Sequence, residues 1–143
     1  GVLGPKWLLD EGIIRPDYVI CAGFAYGIVT AHDGALHLEV TVHGKQAHAA
    51  MPGTGVDALE AATGILAALY ATRRSYAANV SAVAGIGSPQ LNVGLIEGGI
   101  NTNVVPDRVA FRIDRRIIPE EDAAEAEATL TRQIRESAQE RQG

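Results

Sequence analysis

The chain has 143 residues, of which 47% are hydrophobic and 20% charged, as is typical of a globular domain rather than a disordered segment. Its formal net charge of −5 argues against nucleic acid or an anionic membrane as partner, because such partners require a basic patch. No apolar run approaches the roughly 20 residues of a membrane span. The single cysteine, Cys21, excludes an internal disulfide and lies in an apolar run, which favours a core residue of a cytoplasmic protein.

The first 34 residues are predicted to be separate from the rest, because their pattern does not build a core alone. Residues 6–9 followed by Gly12 indicate the end of a short helix with a glycine stop. The apolar runs at 18–21 and 28–30 predict two short strands. We therefore expect these 34 residues to be the remnant of a preceding α/β catalytic domain, with the boundary just after them.

Residues 35–143 are predicted to form a domain with the order strand, helix, strand, strand, helix. Alternation of apolar and polar side chains predicts the three strands. Their inward side chains are Leu36, Leu38, Val40 and Val42 in the first strand, Leu91, Val93 and Leu95 in the second, and Val109, Phe111 and Ile113 in the third. On the third strand, Arg112, Asp114 and Arg116 are predicted to share the opposite face, which Arg115 does not join.

Two amphipathic patterns predict the helices. The first helix is expected from about residue 56 to residue 75, after Gly55, and its apolar members recur at spacings of three and four residues. These members are Val56, Leu59, Thr63, Leu66 and Tyr70. Pro119 is predicted to open the last helix, followed by three carboxylates in the first turn. Leu130 and Ile134 give that helix a thin apolar stripe.

The order of elements predicts an α+β two-layer sandwich, in which two helices cover one face of an antiparallel sheet. A ferredoxin-like unit has one more strand after the last helix, and no such strand is predicted before residue 143. Either a neighbouring segment completes the sheet or one edge stays open. An open edge is a pairing site for another chain.

A metal site built from this chain alone is not predicted, although four histidines are present. His37 and His43 share a strand face but lie six residues apart, or about 20 Å at about 3.3 Å per residue. His43 and His48 flank a loop and would meet only through the fold. No Cys-x-x-Cys, His-x-x-x-His or Asp-x-His element occurs.

Two loops concentrate the polar groups that suit chemistry. His48, in the loop at 44–55, is either a solvated loop histidine or a donor that stabilises a developing oxyanion. Gly99 and Asn103, in the loop at 98–106, form either a turn between strands or a close approach of backbone to a ligand. Arg116 either binds a ligand carboxylate through two hydrogen bonds, or pairs with a carboxylate on a neighbouring strand, or is a solvated charge.

The motifs resemble the dimerisation (lid) domain of the M20 metallopeptidase family. The run Gly-Lys-Gln-Ala-His-Ala-Ala at 44–50, followed by Pro52 and Gly-Val-Asp-Ala at 55–58, is similar to the start of that domain. Gly-Gly at 98–99, Asn-Val-Val-Pro at 103–106, Asp-Arg-Arg at 114–116 and Pro119 match further family landmarks in order and spacing. The family includes acetylornithine deacetylase, succinyl-diaminopimelate desuccinylase, aminoacylase and carboxypeptidase G2-type enzymes.

The resemblance implies a hydrolase with two divalent metal ions, usually zinc, that cleaves an amide next to a carboxylate in a small N-acyl amino acid or peptide. It implies a four-stranded lid that mediates homodimerisation. It also implies that His48 reaches into the partner's active site and polarises the scissile carbonyl, while Asn103 and Arg116 bind the substrate carboxylate with backbone help near Gly99. The family's metal-binding motifs are missing from this sequence, which predicts a lid fragment without its own metal that is inactive alone.

Two other functions remain open on the sequence. A stand-alone ferredoxin-like sensor would bind a small molecule between the loops that carry His48 and Asn103. An assembly scaffold would instead use the helix predicted at 56–75 and an exposed strand edge.

Overall fold

The computed structural model describes residues 3–20 and 27–139. Its elements are helix α1 (Leu3–Asp10), strand β1 (Gly34–His43), helix α2 (Ala58–Ser75), strand β2 (Gln90–Gly98), strand β3 (Arg108–Ile117) and helix α3 (Ala123–Gln139), with single 3-10 turns at Pro52–Thr54 and Tyr76–Ala78. The predicted order from the first strand onward is therefore confirmed. No helix in the described ranges is both long enough and apolar enough to cross a bilayer. The prediction that Cys21 lies in a core falls outside the described residues.

The three strands form one antiparallel sheet in the order β1-β3-β2. Since β3 is central, its inward side chains Val109, Phe111 and Ile113 are almost completely buried. Side chains of α2 and α3 pack with them in a single core. The predicted two-layer sandwich, with both helices on one face of the sheet, is confirmed.

Helix α2 buries a different stripe from the predicted one. The side chains that face the sheet are Ala58, Ala62, Ile65 and Leu69. Leu59 and Tyr70, which were expected in the core, are 47% and 37% exposed, so the centre of the predicted stripe is wrong by about 100° around the helix axis. Of the predicted members, Leu66 does pack against the core. Both stripes have the same spacing along the helix. The helix also begins later than predicted, because the Asp57 carboxylate accepts hydrogen bonds from the N–H groups of Leu59 and Glu60.

A β-bulge in β2 reverses the side chains that follow it. Val93 lies opposite Ile113, but Leu95 lies opposite Arg112, so Gly94 is an extra residue in the ladder. The prediction that Leu95 points inward is therefore wrong. It lies on the outer face, which we define as the face of the sheet turned away from α2 and α3.

Helix α3 begins four residues after Pro119, later than predicted. The side chain of Asp122 accepts a hydrogen bond from the N–H of Glu125 at 2.9 Å and so caps the helix. Proline lies in the preceding turn, where its missing N–H does not matter. The predicted apolar stripe is confirmed, because Leu130 is buried and Ile134 packs against the core.

The first 34 residues form one of the three elements predicted for them. Gly12 has a φ of 66°, a left-handed conformation that favours glycine, and its N–H bonds to the carbonyl of Leu9, which confirms the glycine stop after α1. Strands are not formed at 18–20 or 28–30, so those predictions are wrong for the described residues. Their side chains are exposed, because no neighbouring strand among the described residues pairs with these backbones.

The loop between α2 and β2 is held to the start of α3 by Glu120. Its Oε1 accepts hydrogen bonds from the N–H of Ala82 at 2.8 Å and from the hydroxyl of Ser81 at 3.0 Å. The Ala82 N–H is the main cause that holds the pKa of Glu120 below its ordinary value of 4.5.

We predict that Glu120→Gln lowers the free energy of unfolding at neutral pH, because the amide has no charge for the two donors to stabilise. A lowered pKa gives stability that is complete above the ordinary value and is lost as the pH falls through the folded-state pKa. Urea denaturation should therefore show the two proteins converging below about pH 4.5. A difference that stays constant from pH 7 to about pH 3 would contradict this role of Glu120.

Candidate functional site

The loop after β1 is closed at its base by a pair of backbone hydrogen bonds. The N–H of Lys45 donates to the carbonyl of Val56 at 2.8 Å, and the N–H of Val56 donates back at 2.9 Å. Gly55 lies against this pair, with a φ of −106° that any residue adopts. A closed base of this kind makes the loop at 45–56 a compact unit rather than a loose connection.

The loop after β1 and the loop before β3 are joined through their backbones. The N–H of Ala49 donates to the carbonyl of Asn103, and the N–H of Val105 donates to the carbonyl of Ala47, both at 2.9 Å. His48 thus lies opposite Val104 in an isolated antiparallel bridge. The structure therefore brings together, at one end of the sheet, two of the residues that the sequence singled out: His48 and Asn103.

The ring of His48 is exposed and has a defined orientation. Its Nδ1 lies 3.1 Å from the backbone N–H of Ala50, so Nδ1 is the acceptor of that hydrogen bond. In a neutral ring the other nitrogen, Nε2, then carries the proton and is a donor. The arrangement suits donation to a carbonyl or oxyanion and does not suit proton abstraction by Nε2.

In the second loop, Asn101 builds the turn and Asn103 presents its side chain. The side chain of Asn101 accepts from the N–H of Thr102 at 2.7 Å. The side-chain amide of Asn103 is exposed and makes no hydrogen bond to the part of the chain that the structure describes. Gly99 has a φ of 73°, and its N–H donates to the carbonyl of Arg108 at 3.3 Å. That N–H is therefore already bonded within the hairpin. Any backbone hydrogen bond from this loop to a substrate has to come from other groups near Gly99.

Arg116 lies at the opposite end of the sheet from His48 and Asn103. The loop end of β3 is Arg108, and Arg116 is eight residues further along the strand, or about 26 Å at about 3.3 Å per residue. One copy of the chain thus cannot place Asn103 and Arg116 on the same small carboxylate.

The guanidinium of Arg116 forms an ion pair within its own strand. Its Nε and Nη2 each lie 2.9 Å from a carboxylate oxygen of Asp114. His37 lies opposite Asp114 on β1, and its Nε2 is 3.6 Å from the same carboxylate. The expectation of a carboxylate partner across the sheet is therefore wrong, because the carboxylate that pairs with Arg116 lies on its own strand. The side chain of Arg116 stays accessible on the outer face.

Arg115 has a structural role that the sequence reasoning missed. It points inward, as predicted, and is only 3% exposed. Its guanidinium lies 4.3 Å from the ring centroid of Tyr76, pairs with Glu121 and donates to the backbone carbonyl of Arg116. The available signal was an arginine at an inward position of a strand whose other inward residues are apolar. Through these contacts Arg115 fixes the end of the strand from which Arg116 projects.

Metal ligands are not grouped among the residues that the structure describes. His37 and His43 lie on the outer face of β1, six residues apart, as the sequence predicted. Within residues 3–20 and 27–139, no three histidine, cysteine, aspartate or glutamate side chains are close enough to hold a metal ion. The described residues therefore do not fit the dimetal centre that the M20 resemblance implies.

Comparison with known proteins shows the family. A family model described as the peptidase dimerisation domain of the M20 type matches residues 30–142. The chain belongs to this M20 family. The resemblance seen in the sequence is confirmed, and the matched residues include both joined loops, all three strands, α2 and α3.

Relatives of this M20 dimerisation domain include enzymes of known class. It is 32% identical over 122 residues to an acetylornithine deacetylase from Myxococcus xanthus, which covers 83% of the chain and 32% of the relative. It is 34% identical over 92 residues to a protein named "Probable carboxypeptidase" from Uncinocarpus reesii, which covers 63% of the chain and 21% of the relative. The chain thus spans between a fifth and a third of these two relatives.

A solved structure supports the fold alone. A hydantoinase/carbamoylase family amidase from Burkholderia ambifaria superposes with a TM-score of 0.59 over 80% of the chain and 26% of its own length, at 24% identity. The α+β lid architecture is therefore shared with an amidase that is much longer than this chain.

We predict that Gly55→Ala destabilises the domain by about 1–3 kcal/mol, because the new methyl group would overpack the closed base of the loop. A Cβ at Gly55 would lie 2.6 Å from the Lys45 carbonyl oxygen and 2.8 Å from the Cβ of Ala47. Gly53→Ala is the matched control, since nothing lies within 4 Å of its added carbon. Urea denaturation measures both variants, and equal stabilities for the two would show that the base of the loop is not tightly packed.

Proposed function

We propose that this M20 dimerisation domain is the lid of a metal-dependent homodimeric hydrolase that cleaves an amide next to a carboxylate, and that the lid alone is inactive. The observation that carries the proposal is the junction of the two loops, which presents the Nε2–H of His48 and the side-chain amide of Asn103 at one end of the sheet. The family match and the deacetylase relative support the class of reaction.

His48 is proposed to polarise the scissile carbonyl of the substrate. Its Nε2–H donates to the carbonyl oxygen, and the hydrogen bond strengthens as negative charge develops there. The Ala50 N–H holds the ring so that this nitrogen faces outward. Two divalent metal ions, zinc in this proposal, would activate water in another part of the longer protein, since the described residues hold no suitable ligand group.

The substrate is proposed to contact two copies of the chain. The end of β3 that leads to the two loops, Arg108, lies about 26 Å from Arg116 at about 3.3 Å per residue of strand. One small N-acyl amino acid or peptide therefore cannot touch both ends in a single copy. In a homodimer, one copy can contribute His48 and Asn103 while the other contributes Arg116 to the substrate carboxylate. In that case Asn103 would contact the reacting end of the substrate rather than the same carboxylate as Arg116.

The surface proposed for self-association combines a helix flank with a strand edge. Gln133 of α3 bonds to Ala68 and Thr72 of α2, so α3 covers one flank of that helix. The apolar stripe with Leu59 and Tyr70 lies on the other flank, and α3 packs toward β1, which leaves this stripe on the side of β2. Strand β2 is an edge of the sheet, so a two-fold dimer can pair this edge and bury the stripe together.

For the activity, we predict that His48→Ala in the full-length protein lowers kcat by about 10²–10³-fold, the usual loss when one oxyanion donor is removed. His43→Ala is the control, because His43 lies on the outer face of β1 outside both loops. Hydrolysis of N-acyl amino acids measures both variants. If His48→Ala keeps the kcat of the unaltered enzyme, His48 does not polarise the carbonyl.

For self-association, we predict that this chain has the mass of a dimer in solution and that Leu59→Lys shifts it to a monomer. A charge in the apolar stripe would have to be buried against the partner at a cost of several kcal/mol. Ala128→Lys, on an exposed position of α3, is the control and should leave the dimer intact. Light scattering measures the mass of the unaltered chain and of both variants. A strict monomer of the unaltered chain at high concentration would overturn the proposed dimer.

A stand-alone small-molecule sensor is the second candidate. It is favoured by one observation, namely that His48 and Asn103 meet within a single copy of the chain. Calorimetry with N-acyl amino acids on this 143-residue chain separates the two functions. Tight binding by the chain alone supports the sensor, whereas its absence supports a lid whose substrate site needs further protein.

A further inference from the structure

The outer face of the sheet carries ion pairs and one conspicuous apolar side chain. Three arginines lie along β3 on this face, and each is close to a carboxylate. The pairs are Arg108 with Glu97 at 3.7 Å, Arg112 with Glu39 at 2.7 Å, and Arg116 with Asp114 at 2.9 Å. Among these paired charges lies Leu95, which is 62% exposed.

The β-bulge at Gly94 is what turns Leu95 onto this face. In a regular ladder Leu95 would follow Val93 onto the side of the core, and the bulge instead places it opposite Arg112. Burying a leucine side chain is worth about 1.5–3 kcal/mol, so this orientation gives up stability that the regular strand would offer. A bulge that re-aims a side chain in this way is typical of strands beside ligand sites.

Leu95 lines a concave region of ligand size. A shallow cavity of about 380 Å³ lies on the outer face around it. Its outward-facing lining is Leu95 with His37, Glu39, Arg112 and Asp114; Leu38 and Ile113 also border it, but their side chains belong to the core. Small-molecule sites have volumes of this order and combine apolar surface with a few polar groups, which is the composition of this cavity.

The cavity and Arg116 share one face of the sheet at a defined separation. Leu95 lies opposite Arg112, and Arg116 is four residues further along β3, or about 13 Å at about 3.3 Å per residue. A ligand whose carboxylate is bound by Arg116 therefore reaches Leu95 only if it is elongated. An N-acetyl amino acid is too short to span this distance.

We propose that Leu95 is a specificity-determining residue, and that its cavity binds the apolar end of a peptide or long-chain N-acyl amino acid whose carboxylate is held by Arg116. The proposal rests on the proposed hydrolase function, because it takes Arg116 as the carboxylate ligand. It adds the class of substrate, which is an elongated molecule with an apolar group far from its carboxylate.

The test compares the N-decanoyl and N-acetyl derivatives of one amino acid as substrates of the full-length protein. Leu95→Ala should lower kcat/KM for the decanoyl substrate about tenfold and leave the acetyl substrate within about twofold, because lost apolar contacts discriminate substrates by about this much. Leu95→Asp should lower kcat/KM for the decanoyl substrate further. Val80→Ala, at an exposed apolar position of a remote loop, is the control and should change neither substrate.

The outcomes separate this inference from the proposed function. If the protein hydrolyses both substrates and Leu95→Ala lowers their kcat/KM values equally, or changes neither, the assignment of Leu95 is overturned while the hydrolase stands. If it hydrolyses neither, the hydrolase function fails. Calorimetry with the same two compounds then tests the apolar subsite separately. Tighter binding of the decanoyl compound that is lost in Leu95→Ala then supports the apolar subsite, and equal affinities contradict it.

Discussion

The two backbone hydrogen bonds between Ala47, Ala49 and the loop at 101–106 are the constraint on which the site depends. Together with the bonds from the N–H of Gly44 to the carbonyl of Asp107 and from the N–H of Ala58 to the carbonyl of Pro106, they tie the loop that carries His48 to the loop that carries Asn103. Backbone bonds do not depend on side-chain identity, so the junction holds the loops while leaving their side chains free for a ligand. The exposed imidazole keeps its orientation through one further bond, from the Ala50 N–H.

The central strand links this junction to the far end of the domain. One end of β3 leads back to the joined loops, and the other carries Arg116, whose backbone carbonyl is bound by the buried Arg115. The two ends of β3, both of which are proposed to bind substrate, are thus held apart by one rigid strand. In a single copy they are too far apart to contact the same small substrate. In the proposed arrangement, where the site is distributed over two copies, dimerisation would be a requirement for activity rather than an addition to stability.

The sequence predicted β1 and β3 well, because each has one buried and one solvated face and so alternates cleanly. It failed for α2, since Leu59 and Leu69 belong to two apolar stripes of the same spacing, and only packing decides which stripe meets the sheet. It failed for Leu95 because one extra residue inverts a strand's faces, and the available signal, the isolated glycine Gly94 within the alternating pattern, was not used. The motifs located His48, Asn103 and Arg116, but their separation depends on strand direction and register, which spacing along the chain does not give.

Subunit complementation tests most directly whether one site is built from two copies. Full-length His48→Ala and Arg116→Ala proteins should each be nearly inactive as homodimers. When equal amounts are unfolded and refolded together, half of the dimers are mixed, and each mixed dimer regains one site with both residues intact. We therefore predict that about a quarter of the activity of the unaltered enzyme returns. If the mixture stays as inactive as the separate variants although mixed dimers form, His48 and Arg116 act in the same copy, and the site is not shared between subunits.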